Sequence, residues 1–155
     1  MSRSAKYNVL LVIAIFIIVT LVSSFTGGTG IKLDFGEDVL TVSGPGKFSD
    51  SVSYDSITAL ELVTLEDPGQ AISGDENNRY RWGEWKNSAW ESYTLIAAKG
   101  LDTAICVTTA EGERLVFNYE DDETTAQIHE MFTQLLAARR ASQQPERRIA
   151  KNFLR

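Results

Sequence analysis

The chain has one cysteine, one histidine and three prolines among its 155 residues. A single thiol, Cys106, rules out an internal disulfide framework, and with His129 as the only imidazole the Cys/His zinc patterns are ruled out too. A lone histidine also leaves no Ser/His/Asp grouping on which to build a nucleophile. No catalytic residue, metal or cofactor is therefore expected. Cationic side chains are scarce where a domain would lie: residues 31–138 carry seven Lys and Arg against 20 Asp and Glu. A polyanion needs a basic face, so this shortage argues against nucleic-acid binding. It argues equally against phosphoinositides, because Lys32 and Lys47 stand among Asp34, Glu37, Asp38 and Asp50 and would present phosphates with net repulsion. Long apolar runs are absent as well, except at the N-terminus.

That exception is informative. Residues 7–31 contain no charged side chain, and 9–25 are nearly all Val, Ile, Leu, Phe or Ala. As a helix, residues 7–25 would cover about 28 Å, close to the roughly 30 Å of a bilayer's hydrocarbon core. Arg3 and Lys6 precede the run, while only Lys32 follows closely, ahead of Asp34, Glu37 and Asp38. By the positive-inside rule residues 1–6 form a cytoplasmic tip, 7–25 a single transmembrane helix, and the rest lies outside the cell membrane. The alternative is a cleaved signal peptide and a secreted domain. The run is longer than an h-region of about 7–15 residues and lacks an Ala-x-Ala site, so the anchor is the expectation. Residues 26–30, Thr-Gly-Gly-Thr-Gly, form a flexible spacer without the Gly-Lys-Ser/Thr ending of a phosphate loop.

Beyond the spacer the pattern changes to short alternating runs. Residues 31–35 and 39–43 read as strands around a Gly36-Glu37-Asp38 turn, and Gly44-Pro45-Gly46 closes a hairpin into a Ser-rich strand. Residues 57–65 mix alternation with a bulge or a short helical option. Residues 66–78 are polar, hold Pro68, Gly69 and Gly74, and read as a long loop. Strands resume within 80–85 or 90–98, then at 101–109 and 114–119, giving a mostly antiparallel sheet. Finally Ile128, Met131, Phe132, Leu135 and Leu136 recur at helical spacing, with Asp121, Asp122 and Glu123 at the start and Arg139-Arg140 at the end. A helix start explains these acids better than a calcium loop, whose spacing is absent. Residues 139–155 form a basic tail, in which Gln143-Gln144-Pro145 is expected to end the ordered part and the remainder to Arg155 to be mobile.

This order of about seven strands and a C-terminal helix resembles the pleckstrin-homology (PH) superfold. The residues are similar to the bacterial PH-like domains that follow membrane segments in Gram-positive proteins. The resemblance is carried by Val52-Ser53-Tyr54-Asp55-Ser56-Ile57, by Arg81-Trp82-Gly83-Glu84-Trp85, and by the stretch from Ile105 to Gly112. Val116-Phe117-Asn118, with Thr124 and Thr125 opening the helix, completes it. It implies a PH-like domain over residues 31–138, an antiparallel seven-stranded barrel or sandwich closed by the amphipathic helix. Its motifs are structural, not catalytic.

Two groups are candidate sites. Tyr80, Trp82, Trp85, Trp90 and Tyr93 form the densest aromatic cluster and could make a binding face for a peptide, a glycan or the lipid interface. The plainer reading is core packing, with Trp82 and Trp90 plugging the open sheet under the helix. Arg139, Arg140, Arg147, Arg148 and Lys151 make the basic tail a candidate for anionic lipid headgroups, against the plain reading of a solvated tail. His129 reads as exposed helix decoration and Cys106 as a small buried hydrophobe. The expected function is a non-catalytic, membrane-anchored interaction or scaffold module for an unidentified protein partner. The alternative is a small envelope hydrolase or metal-dependent enzyme, which would gather carboxylates with perturbed pKa in a concave pocket.

Overall fold

The computed structural model describes residues 30–153, with side chains through Gln143. The expected span at 7–25 lies outside these residues. Among the described residues no helix is long and apolar enough to cross a membrane.

Alternation at period two sets the first sheet. Strands β1 (Lys32–Phe35), β2 (Val39–Ser43) and β3 (Ser49–Ser53) form an antiparallel meander. Leu33 stands opposite Val42 and Leu40 opposite Val52, and all four are buried, while Lys32, Asp34 and Ser51 face outward. Tyr54 follows in a 3-10 turn (Tyr54–Ser56), buried, its hydroxyl donating to the Gly36 carbonyl across the β1–β2 turn.

The second sheet is larger. It runs β4 (Ile57–Thr64), β9 (Thr103–Thr109), β10 (Arg114–Phe117), β8 (Tyr93–Ala98) and β7 (Tyr80–Lys86). The short strands β5 (Gln70–Ala71) and β6 (Asp75–Glu76) both pair with the far side of β7. Residues 80–85 and 90–98, between which the sequence did not choose, thus supply two adjacent strands. Of the barrel or sandwich expected, the two-sheet form is the one found: neither sheet closes on itself, and the seven antiparallel strands are corrected to ten. One pair, β8 with β10, is parallel. The reason is an insertion: the β9–β10 hairpin places β10 between β8 and β9, so β10 must run in the direction of β8. Asn118 seals this pairing from full burial. Its amide oxygen accepts the Ala98 N–H at 2.7 Å and its nitrogen donates to the Ala98 carbonyl at 3.2 Å.

The two sheets share one core, completed by the helix α1 (Asp122–Phe153). Asp121 caps it by accepting the Thr124 N–H at 2.6 Å. Thr125, fully buried, ties the first turn to Tyr119 through its hydroxyl. Ile128, Phe132 and Leu136 are buried against Ile105, Val107 and Phe117 of the second sheet, while Met131 and Leu135 are half-buried. Phe35 and Tyr54 meet Phe132 edge to face at 5.3 and 6.0 Å between ring centroids. The expected end near Pro145 is also corrected, because the helix continues to Phe153. Pro145 has no N–H to bond the Ala141 carbonyl and its ring crowds that carbonyl, yet the helix runs through this position.

The expected long loop at 66–78 is a cover, not a free loop. β4 and β5 lie at opposite edges of the second sheet, yet only residues 65–69 join them. Six residue steps reach about 21 Å, slightly less than the roughly 24 Å that five strand spacings span when flat. The segment must therefore cross nearly extended over a coiled sheet. It does so on the outer face, where the Tyr93 hydroxyl donates to the Pro68 carbonyl and Asn87 reaches the Asp67 carbonyl. Small residues beneath it, Ala97, Ala104 and Cys106, form a second buried cluster with Trp85, Tyr93, Leu95 and Val116.

Candidate functional site

Alternation along β7 divides the aromatic cluster instead of gathering it. Tyr80 and Trp82 lie on the side of the first sheet, where the Tyr80 hydroxyl accepts the Gly30 N–H at 3.0 Å and Trp82 stands opposite Ile96. Trp85 lies on the outer side beside its partner Tyr93, and both are buried. Trp90 leans edge-on against Tyr93 at 5.0 Å and carries the Arg114 guanidinium 5.8 Å above its ring. Trp90 therefore packs in the second cluster and does not plug the sheet under the helix. The five aromatics share no single face.

A different site forms where the helix passes the corner between the sheets. The helix runs antiparallel to β4. At its start Asp122 accepts the N–H of Thr103, the partner of Thr64, and eighteen residues later Arg140 reaches the Ile57 carbonyl at 3.4 Å. Arg139 is clamped at this end. Its guanidinium lies 5.0 Å over the Tyr54 ring, donates to the Glu37 carbonyl at 2.6 Å and meets Asp38 at 2.9 Å, with Asp55 at 3.9 Å. Gln143 adds a hydrogen bond to Asp55 at 3.1 Å. The sequence-predicted headgroup residue Arg139 is thus spent on holding the helix to the first sheet. Arg140 is exposed beside it, and Arg147, Arg148 and Lys151 lie further along the helix.

Two cavities open here, of about 450 and 210 Å³, and Leu136 and Arg140 line both. They make one trough, floored by Ile57, Leu60 and Leu136 and walled by Thr133 and Ala137 of the helix. β4 borders it. That strand ends its sheet, so its outer edge pairs with no other strand among the described residues. The trough escapes sequence inspection because its two walls are about seventy residues apart. The one trace is that Thr133 and Ala137, small and four residues apart, flank the apolar stripe of the helix.

The titratable groups do not converge on this trough. Asp55 is the one carboxylate lining its larger part. Glu76 is held below the usual carboxylate range by its bond to Lys99 at 2.8 Å, aided by Arg81. Glu84 is lowered by the hydroxyls of Ser92 and Ser73. Both are exposed and shifted away from what a general acid needs. Tyr54 is pushed up to about 12, chiefly by burial, with Arg139 pulling it back. Cys106 is the buried hydrophobe expected, its thiol raised by burial. His129 is half-buried, not exposed, and its Nε2 is enclosed with no hydrogen-bond partner. Among the described residues no three His, Cys, Asp or Glu side chains are placed to hold a metal.

Gly30 and the trough lie at opposite ends of β1. Between Gly30, held at the Tyr80 hydroxyl, and the turn at Glu37, where Arg139 is bound, lie the four residues of β1, about 3.3 Å each and roughly 13 Å in all. Comparison with protein-family models, with curated proteins and with solved structures finds no match to this chain.

Proposed function

We propose that this chain is a membrane-anchored, non-catalytic interaction module built on a PH-like domain. Residues 7–25 hold it in the cell membrane, with the N-terminus in the cytoplasm and the domain outside. The observation that carries the reading is the trough between β4 and α1, placed at the end of the domain away from Gly30. A chain entering from the bilayer at Gly30 presents that trough outward, toward a partner protein. The same geometry takes the basic helix end away from the anchoring bilayer, so Arg140, Arg147, Arg148 and Lys151 are assigned to the partner and not to its headgroups. The enzyme alternative finds less support. The larger part of the trough is lined by one carboxylate, Asp55, and Glu76 and Glu84 are lowered by partners outside it.

Two measurements on the full chain in cells test this. The protein should resist carbonate extraction, lose that resistance when residues 7–25 are deleted, and be cut by protease added outside. A photo-crosslinking residue at Ala137 should yield a protein adduct that one at Lys86, on the far strand β7, does not. A mature chain beginning near Phe25 would replace the anchor by a signal peptide. Absence of an adduct specific to Ala137 would overturn the module.

A further inference from the structure

We infer that the trough takes an extended peptide strand, which adds to the free edge of β4 and brings an acidic C-terminal end to Arg140. This rests on the interaction-module reading and names the partner class at that site. β4 spans eight residues, Ile57–Thr64, and hydrogen-bonds to β9 alone within its sheet. Its other edge offers a row of backbone N–H and C=O groups, which an incoming strand satisfies without needing any particular sequence. Room for that strand's side chains exists: the helix wall is small at Thr133 and Ala137, and Leu62 of β4 remains 43% exposed.

Charge sets the direction. Arg139 is neutralised by Asp38 and Asp55, but among the described residues no carboxylate pairs with Arg140, whose guanidinium meets only the Ile57 carbonyl at 3.4 Å. The Nε of Arg139 is also enclosed at this end without a hydrogen-bond partner. Beside Arg140 lies a domain whose residues 31–138 are otherwise strongly acidic, with seven Lys and Arg against 20 Asp and Glu. Arg140 stands at the start of β4. A strand adding antiparallel therefore ends its own C-terminal half there, where carboxylates gain a charge-assisted partner.

The test is selection from a displayed library of random dodecapeptides on the full chain, reconstituted in phosphatidylcholine nanodiscs. Enriched peptides should carry Asp and Glu in their C-terminal half. A synthetic copy of the most enriched one should bind at least tenfold more weakly to Arg140→Glu and to Ala137→Trp, and unchanged to Lys86→Glu. Arg140→Gln, which removes the charge without reversing it, should weaken it in the same direction, so the loss does not rest on one variant's folding. No enrichment, enrichment without acidic residues, or binding indifferent to Arg140→Glu and Ala137→Trp would each overturn the inference. If the Ala137 crosslink in cells persists under those outcomes, the interaction module stands and the peptide class is wrong. If that crosslink is also absent, both fall.

Discussion

Phe132→Ala is the sharpest probe of how this domain is held together. Phe132 is fully buried, and its ring meets Phe35 at 5.3 Å and Tyr54 at 6.0 Å, both near edge-on. Removing a buried phenylalanine costs about 3–5 kcal/mol through lost transfer energy and the cavity left behind. Two aromatic pairs, each worth about 0.5–1.5 kcal/mol beyond area, place this site in the upper half of that range. A domain of this size has about 5–15 kcal/mol in all, so the substitution removes about a quarter or more of its stability. The expected drop in melting temperature is at least about 10 °C. Urea and thermal unfolding of residues 30–153 at low concentration measure it, with sedimentation to record the oligomeric state. Thr133→Ala, next in sequence but exposed and bonded only to the His129 carbonyl, should move stability by less than about 0.5 kcal/mol. An unshifted transition in Phe132→Ala with altered sedimentation would refute the buried-helix reasoning and make the stripe an association surface. Leu135→Ala should cost clearly less than Phe132→Ala, since Leu135 is only half-buried.

Three further outcomes are expected. Asn118→Ala leaves the Ala98 N–H and carbonyl unpaired in the interior, which should cost about 1–3 kcal/mol for each group left without water or partner; urea unfolding with hydrogen exchange at Ala98 checks it. Gly83 sits at φ +100°, and an added Cβ would lie 2.5 Å from the Gly74 Cα, so Gly83→Ala should destabilise by more than the roughly 1–3 kcal/mol of backbone strain alone. Tyr54, raised to about 12 in the fold, should show its phenolate absorbance near that pH instead of near 10. Because the folded value lies above the unfolded one, the stabilisation linked to the neutral phenol is complete below about pH 10 and lost as pH rises through about 12.

What the sequence makes legible is what local chemistry decides. β1 and β2 alternate cleanly because one face meets the core and the other water, and the helix stripe and its acidic start are read directly. The mixed pattern at 57–65 has a physical cause: the register against β9 shifts between Ile57 and Ala59, so the period slips at Thr58, and an edge strand leaves Leu62 partly in water. Strand order is decided elsewhere. Nothing local in residues 99–118 distinguishes a hairpin beside β8 from one that inserts its second strand between neighbours. Residues 65–69 show no period because they cross a sheet instead of joining it, and they are held there by hydrogen bonds from Tyr93 and Asn87, which lie some twenty residues later. The trough is hidden for the same reason, since it exists only once α1 lies along β4.

The path from Gly30 along β1 also fixes how the domain answers a pull. A bilayer holding residues before Gly30, and a partner holding the far end of the helix, would tension the chain along the axis of β1. β1 is joined to β2 over four facing residues, Lys32 to Phe35, whose ladder lies across that axis. Tension along the strand therefore strains these rungs together, in shear, and does not peel them one after another. At the other end it meets the Arg139 clamp on Glu37 and Asp38, in the turn that joins the same two strands. Force entering at one end and leaving at the other passes through β1, that turn and the helix, whose Ile128, Phe132 and Leu136 also bind it to the second sheet. Loaded in this way the domain would behave as a stiff spacer, and in single-molecule pulling it should yield at a higher force from these two ends than from a pair of points that opens β1 from one side.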